Sequence, residues 1–283
     1  MYHRCSKRGR YSETRAIEAG ASRPPTGFQR YIGIDYSGAQ TPYESLKGIR
    51  AYLATPDMSP IEIRPPASPR KYWTRHGLAE WLVETLSEER PTLVGIDHSF
   101  SFPLQYFQKY GLSSDWTAFL IDFRHHWPTH NKHTYVDFVR DGLHGFGKAR
   151  NGSSRWRRIA EVRARAKSVF HFDAPGSVAK STHAGLPWLL YMREQLGGRV
   201  HFWPFDGWTP QPGQSVVVEA YPSLVNKTFP KEDRDSHQHD AYSLAAWFRQ
   251  MDRSEAFGEL FHANLNESER RVAEIEGWIF GVE

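Results

Sequence analysis

Two apolar runs of the chain end in the same three residues, Gly-Ile-Asp, and they constrain the fold more than any other feature of the sequence. The first is RYIGIDY, whose apolar part ends at Asp35, and the second is TLVGIDHSFSFP, whose apolar part ends at Asp97. Short apolar runs bounded by polar or turn residues are typical of buried strands. The sequence therefore predicts two strands, each with a carboxylate at its carboxyl end.

The segments around these runs predict an α/β fold. SLKGIRAYLAT and PIEIRPP follow the first run closely, as expected for an antiparallel meander of three strands. Thr74 is the expected N-cap of a helix that Pro91 closes, and SVVVEAYPSLV predicts a further strand that ends at Glu219. DSHQHDAYSLAAWFRQM has the apolar spacing of a helix and places Asp240 in its first turn. An amphipathic helix, ESERRVAEIEGWIF, follows near the C-terminus.

These elements are expected to form a single domain over residues 29–283. Residues 1–28 carry Arg, Ser and RPPTG without a hydrophobic period, which predicts a disordered or loosely attached basic arm. Residues 103–182 are rich in aromatics, His, Arg and Gly, and we interpret them as a large insertion that contains the helical stretch SSRWRRIAEVRARAKSVF. THAGLPWLLYMREQLG is predicted as the next helix.

Composition and charge narrow the class of protein. The single Cys5 rules out an internal disulfide framework and suits a reducing cytosol, so we expect a cytoplasmic protein. No apolar run approaches the roughly 20 residues that cross a bilayer, so no membrane association is expected. Residues 140–167 hold 9 Lys and Arg against 2 acids. Contact with a nucleic-acid backbone and a plain solvated face both explain that basic segment.

Four acids at the ends of predicted elements suggest a shared site: Asp35, Asp97, Glu219 and Asp240. In sheets with parallel strands, ligands bind outside the carboxyl ends, where acids from neighbouring strands converge. Converging carboxylates repel one another unless a cation is bound, and Mg²⁺ and Mn²⁺ prefer oxygen ligands. Two such ions can hold the attacking water and the leaving oxygen of a phosphodiester. Taken singly, each acid is also explained as a turn residue, a strand-end cap or a complement to the helix dipole.

His237 lies three residues before Asp240, a spacing that places both side chains on one face of a helix. It is a candidate metal ligand or proton carrier, and the alternative is an exposed residue of the first helical turn. Asp235 or Ser236 is the expected N-cap of that helix.

Six polar residues of the insertion and its boundary are candidate contacts to a nucleic-acid phosphate: Lys180, Ser181, Thr182, Arg155, Arg157 and Arg158. The first three end the stretch GSVAKST, which is either a polar loop or the approach to a helix capped by Thr182. The three arginines surround Trp156 in a basic stretch that suits a phosphate backbone. Trp156 itself is expected to pack inward.

The motifs GIDYSG, VGIDHSFSFP, VVVEAYPSL and HQHDAYSLAAW resemble, in type and order, those of a domain-of-unknown-function family of predicted ribonuclease H-like nucleases. The resemblance spans about residues 30–280. It implies a mixed five-stranded sheet flanked by helices, with a large helical insertion between strands four and five. It also implies that Asp35, Asp97 and Asp240 bind the metal ions, and Glu219 matches the family's Glu-x-Tyr-Pro motif. The HQHD order is similar to the Holliday-junction resolvase branch, in which a His or Asp precedes the last Asp by three residues.

The chain departs from ribonuclease H in having no acid counterpart on the first helix, where Glu80 and Glu84 are expected to face solvent. The resemblance therefore implies a nuclease dependent on Mg²⁺ or Mn²⁺ that acts on nucleic acid, with His237 and Glu219 assisting, but not one specific for RNA in hybrids. Two other functions stay open. One is a module that keeps the acids but cleaves nothing, and the other is an ATP-binding protein of the actin-like and sugar-kinase type, which needs a second domain and a second phosphate loop.

Overall fold

The computed structural model describes residues 27–283, apart from the side chains at 255 and 256, and its strands form one six-stranded mixed sheet. In chain order the strands are β1 (Arg30–Asp35), β2 (Arg50–Ala54), β3 (Ile61–Ile63), β4 (Thr92–Ile96), β5 (Val200–Trp203) and β6 (Ser215–Glu219). Their order in the sheet is β3-β2-β1-β4-β6-β5. The meander of β1, β2 and β3 is antiparallel, as predicted, whereas β1, β4, β6 and β5 run parallel. The predicted N-terminal arm lies outside the described residues except for its last two positions.

Eight α-helices flank the sheet within the described part of the chain. They are α1 (Arg75–Ser87), α2 (Leu104–Tyr110), α3 (Trp116–His126), α4 (Val136–Arg140), α5 (Ile159–Arg163), α6 (Ala179–Leu196), α7 (Ser236–Asp252) and α8 (Glu267–Glu276). The apolar residues of α1, α3 and α6 form one core with one face of the sheet, and those of α7 and α8 form a second core with the other face. No helix found between residues 27 and 283 has the length and apolarity needed to cross a bilayer.

β1 and β4 are the two central strands of the sheet, and every residue of both is buried. Successive side chains of a strand point to opposite faces, so each strand contributes to both cores. Ile32 and Ile34 of β1 belong to the core with α1 and α6, whereas Tyr31 belongs to the core with α7. A continuous apolar run is what such a doubly covered parallel strand requires.

Two helix starts follow from the capping chemistry that the sequence predicts. Thr74 Oγ1 accepts a hydrogen bond from the Gly77 amide at 2.9 Å and begins α1. Asp235 is the N-cap of α7: its carboxylate accepts from the Gln238 amide at 2.9 Å, and the Gln238 side chain accepts from the Asp235 amide at 3.0 Å. This reciprocal capping box fixes where the first turn of α7 begins.

Two predictions about the segment between β4 and β6 differ from the structure. The sheet has six strands rather than five, because β5 adds an edge strand of only four residues, too short for its pattern to stand out beside the Gly-rich turn before it. The stretch SSRWRRIAEVRARAKSVF contains only the five-residue helix α5. The helix ends there because Arg165 adopts a left-handed conformation, with φ of 54°.

Candidate active site

Asp35 and Asp97 stand side by side at the carboxyl edge of the sheet. β1 and β4 pair in parallel with Ile34 opposite Ile96, and the Asp97 amide donates a hydrogen bond to the Ile34 carbonyl at 2.9 Å. An aspartate follows each of these two isoleucines, and neighbouring strands of a sheet are about 4.8 Å apart. The structure thus brings together these two predicted site residues.

Two glycines allow α7 to lie close against these strands. A Cβ atom on Gly33 would stand 2.2 Å from the Ala241 carbonyl oxygen, and one on Gly95 would stand 2.5 Å from the Phe248 ring. Each glycine precedes its aspartate by two residues, so both aspartates point to the face that α7 covers. The Gly-Ile-Asp pattern therefore combines a contact with α7, a core isoleucine on the other face, and a carboxylate beneath the first turn of α7.

His237, in the first turn of α7, contacts the acid on β1. Its Nδ1 donates to Asp35 Oδ2 at 2.6 Å. The Asp35 side chain is 8% exposed and the His237 side chain 47% exposed, so the pair joins a buried acid to a ring that water reaches. The hydrogen bond to Asp35 raises the pKa of His237. Burial raises the pKa of Asp35 to about 6; His237 opposes this shift, and the charge of Asp240 adds to it.

The carboxyl groups of Asp97 and Asp35 act on each other's pKa. Burial, followed by the charges of Asp35, Asp240 and Glu219, raises the pKa of Asp97 well above its usual range. A hydrogen bond between the two side chains raises the pKa of Asp97 further and opposes the rise at Asp35. Two neighbouring carboxyl groups that cannot both ionise are a common arrangement at catalytic sites.

Asp240 is held by a polar contact from the segment after β6. Asn226 Nδ2 donates to Asp240 Oδ1 at 2.8 Å, and the Asn226 carbonyl lies 2.8 Å from His239 Nε2. Through its side chain and its carbonyl, Asn226 thus ties two consecutive residues of α7 to the turn Asn226–Thr228. Asn226 was not a predicted site residue, and no motif in the sequence marks it.

The acids fit a divalent cation in the chemistry of their donors. Asp35 and Asp97 offer only oxygen atoms, and both have raised pKa values that a bound cation would lower. Asp240 acts on both of them through its charge. Within the described residues, however, no three His, Cys, Asp or Glu side chains are gathered closely enough to hold a metal ion as they stand. Asp35 and Asp97 are thus the preformed part of the site, and Asp240 is the candidate third ligand.

Glu219 lies on the other side of the sheet from this pair. It is opposite Ile96 in the β4–β6 register, and like Ile96 it faces the core formed with α1 and α6. Arg158 Nη2 and Nη1 donate to its two carboxylate oxygens at 2.5 and 2.7 Å, and the Phe100 amide donates to one of them at 3.0 Å. Glu219 is thus held in a buried ion pair, and its predicted part in catalysis stays a prediction.

The three predicted arginine contacts are placed very differently. Arg158 is fully buried and pairs with Glu161 at 3.0 Å as well as with Glu219, so it cannot contact a nucleic-acid backbone. Burial alone would lower the pKa of Arg158, but these two carboxylates raise it above the ordinary value. Arg157 donates to the carbonyls of Glu161 and Ala166. Of the three, only Arg155 has an exposed side chain.

Trp156, next to these arginines, packs inward, as the sequence predicts. Its side chain is partly buried against the larger core. The ring meets Phe170 edge to face at 6.2 Å. Stacking on a base is therefore not its role in this structure.

The stretch GSVAKST does not form a phosphate loop. α6 already begins at Ala179, so the three predicted contacts lie in its first turn rather than before it. Thr182 is fully buried and accepts from the Ser99 amide at 3.0 Å, and Ser181 donates to the Val178 carbonyl at 3.0 Å. Lys180 pairs with Asp137 at 2.9 Å. The alternative, Thr182 as the cap of a helix from His183, is wrong for the same reason.

The loop after β1 is fixed by residues that the sequence does not single out. Arg75 is fully buried and donates to the carbonyls of Ser37, Ala39 and Gln40 at 3.1, 2.6 and 2.7 Å. A side chain at Gly38 would collide with the backbone of Lys180, at 2.0 Å. The turn behind Asp35 is therefore packed tightly between α1 and the start of α6.

Comparison with family models finds no match to this chain, and comparisons with curated proteins and with solved structures likewise find no match. The function therefore has to be argued from the geometry of the site itself.

Proposed function

We propose that this chain is a metal-dependent nuclease of the ribonuclease H-like type, which hydrolyses phosphodiester bonds of nucleic acid. The observation that carries the proposal is the pair formed by Asp35 and Asp97, two adjacent carboxyl groups with raised pKa values beside a third acid, Asp240. Bringing such acids together away from water costs folding free energy, so the cluster indicates a catalytic role or a bound ion.

The sheet order supports the ribonuclease H-like assignment. The resemblance implies three antiparallel strands followed by two parallel ones, and β3-β2-β1-β4-β6 has that arrangement, with β5 added at the edge. The three acids implied to bind metal come from the end of β1, the residue after β4 and the fifth residue of α7, just past the first turn in which the sequence predicts Asp240. Glu80 and Glu84 on α1 are exposed, as expected for a chain without the acid of ribonuclease H on that helix.

Asp35, Asp97 and Asp240 are the residues that would hold Mg²⁺ or Mn²⁺. When bound, such an ion supplies an activated water and neutralises charge on the phosphate. Deprotonation of Asp97 makes its oxygen available, and the Asp35 carboxylate orients His237 through Nδ1. His237 then presents its partly exposed ring to exchange a proton with water at the mouth of the site.

The test is cleavage of fluorescently labelled single-stranded DNA, single-stranded RNA and a four-way DNA junction by the purified chain, with Mg²⁺, Mn²⁺ or EDTA. We expect cleavage of at least one probe with either metal and none with EDTA or in Asp35→Asn. Circular dichroism of Asp35→Asn establishes that the variant is folded. Wild-type protein that binds metal yet leaves every probe intact would overturn the proposal.

A second candidate function is a ribonuclease H-like module that binds nucleic acid or metal without cleaving. One observation favours it, namely that no three ligand side chains are gathered as they stand in the part of the chain that is described. The same assay separates the two functions. Probe retardation on native gels without product would favour the binding module.

A further inference from the structure

A groove with a volume of about 340 Å³ opens beside the candidate active site. Four cationic residues line it, and we call it the basic groove: Lys47, Arg50, Arg64 and Lys71. Glu62 and Asp235 also line it, which leaves a net charge of two positive. It lies between β2, β3, the segment that leads from β3 to α1, and the N-terminus of α7.

Three of the four cations are available to a ligand. Arg50 is committed to Glu62 at 3.0 Å and to Asp235 at 3.2 Å. Lys47 is 64% exposed, and its Nζ lies 3.8 Å from Asp235, at the limit of an ion pair. Arg64 and Lys71 are exposed, and neither forms an ion pair with any residue in the described range 27–283.

The basic groove adjoins the candidate active site through neighbouring residues. Lys47 precedes Gly48, and a Cβ atom on Gly48 would stand 3.3 Å from Ser37 Oγ and 3.5 Å from the His237 ring. Asp235 lines the basic groove and also caps the helix that carries His237. A chain lying in the basic groove would therefore pass near the pair formed by Asp35 and His237.

The wall of the groove is held in place without a ligand. The Ser45 hydroxyl donates to the Tyr72 carbonyl at 3.0 Å and accepts from the Tyr72 amide at 2.9 Å. Trp73 Nε1 donates to the Ile63 carbonyl at 2.9 Å, which ties the end of this segment back to β3. The Arg50 guanidinium lies 4.5 Å from the centre of the Tyr72 ring. A cationic groove with an ordered aromatic residue is typical of proteins that track a nucleic-acid strand.

We infer that the basic groove binds the phosphate backbone of the nucleic-acid strand that flanks the cleaved bond, with Lys47, Arg64 and Lys71 contacting phosphates. This inference rests on the proposed function, and it replaces the basic stretch around Trp156 as the main contact to the backbone. The reason is that two arginines of that stretch are used in internal hydrogen bonds and ion pairs, whereas Lys47, Arg64 and Lys71 face solvent.

The test is the binding of labelled single-stranded DNA and RNA, measured by fluorescence anisotropy in Mg²⁺ over a range of salt concentrations. All proteins carry Asp97→Asn, so that the probe is not consumed. Arg64→Glu combined with Lys71→Glu is compared with Arg90→Glu combined with Lys132→Glu, a matched pair with the same charge change. Arg90 and Lys132 are exposed, and Arg90 precedes β4 at the opposite edge of the sheet from Asp97.

We expect the groove variant to bind about tenfold or more weakly than the parent. The plot of log affinity against log salt should also become less steep by about 1.4, the value for two phosphate contacts on a single strand. The control pair should bind like the parent. Equal binding by all three proteins, or no binding of either probe by the parent at low salt, would overturn the inference.

Cleavage separates this result from the proposed function. Metal-dependent cleavage by the wild type with unchanged groove binding would sink the groove alone. Binding that depends on the groove, without cleavage of any probe by the wild type, would sustain the groove and remove the nuclease. Thermal denaturation of each variant shows that a loss of binding is not a loss of folding.

Discussion

Asp35 Oδ2 lies 2.6 Å from His237 Nδ1, although the two residues are 202 positions apart in the chain. The contact joins the end of the first strand to the first turn of α7, and it depends on how closely that helix packs on the sheet. His237 is the only residue of this pair with a large exposed fraction, so any proton that leaves Asp35 through the pair passes by its ring.

Asp35→Asn should abolish cleavage and at the same time stabilise the metal-free protein at neutral pH. Asparagine keeps the shape of the side chain but removes a buried charge that raises the pKa of Asp97. Thermal unfolding in EDTA at pH 7 measures the stability, and the cleavage assay measures the function. Asp57→Asn, a change at an exposed acid, is the control and should alter neither. A destabilised Asp35→Asn would mean that the carboxylate is structural.

Stabilisation by Mg²⁺ should increase as the pH rises. The pKa of Asp35 in the folded protein, about 6, exceeds its ordinary value of 3.8, so the folded metal-free protein binds more protons than the unfolded chain between these values. Its free energy of unfolding therefore falls as the pH rises from about 4 to 6, and a cation that displaces the proton restores stability above that range. The difference in melting temperature between Mg²⁺ and EDTA, measured from pH 5 to pH 8, checks this. A difference in melting temperature that is the same at every pH would contradict this prediction. So would a difference in Asp97→Asn that equals that of the wild type.

Gly33→Ala should lower both stability and activity, because the added methyl group meets the Ala241 carbonyl at 2.2 Å and must displace α7. That displacement moves His237 away from Asp35. Gly198→Ala is the matched control, since a Cβ atom there meets nothing within 4 Å. Melting temperature and cleavage rate are the two measurements. Full activity in a folded Gly33→Ala protein would show that the close packing of α7 on β1 is not needed for activity.

The Gly-Ile-Asp pattern shows how much of this site the sequence could predict. It contained the two strands and the positions of Asp35 and Asp97, because buried parallel strands leave a local apolar signal and their carboxyl ends converge. The helical spacing of His237 and Asp240 could also be predicted, since it depends only on the helical repeat. These are local features, and local features are what a sequence pattern records.

Glu219 shows why the rest could not be predicted. It ends a strand just as Asp35 does, but the β4–β6 register places it opposite Ile96, so its side chain points to the other face. Register between distant strands leaves no mark on a single sequence. The ion-pair partner of Glu219 is Arg158, which lies in a stretch whose basic residues are typical of an exposed helix. Only the tertiary packing shows that Arg158 is buried.

Glu219→Gln should destabilise the protein by up to about 3–5 kcal/mol, the usual cost of breaking a buried ion pair, because Arg158 keeps Glu161 but loses the charge of Glu219. Cleavage by the folded fraction at low temperature should be close to that of the wild type, since Glu219 faces away from Asp35. Replacing all three members of the buried group, Glu219→Leu with Arg158→Met and Glu161→Leu, should recover part of the loss, because no charge is then left without a partner. Urea denaturation gives the free energies of unfolding. A stable Glu219→Gln protein without activity would return Glu219 to the catalytic residues.

His183 should make the protein sensitive to acid, independently of the candidate active site. Burial lowers the pKa of His183 to about 3, against 6.5 for an ordinary histidine, and its ring lies among Phe102, Phe123 and Trp127. Below pH 6.5 the unfolded chain takes up a proton here and the folded protein does not, so the free energy of unfolding falls with falling pH by up to about 1.4 kcal/mol per unit.

His183→Phe keeps an aromatic ring among these neighbours and should remove this part of the acid dependence. The measurement is urea denaturation of the wild type and the variant from pH 7 to pH 4, and the quantity of interest is the difference between the two slopes. His133→Phe, at an exposed histidine, should leave the slope unchanged. Equal slopes in the wild type and His183→Phe would mean that His183 is protonated in the folded protein, at the cost of a buried charge among five aromatic rings, of which Phe170 and Phe172 are the other two.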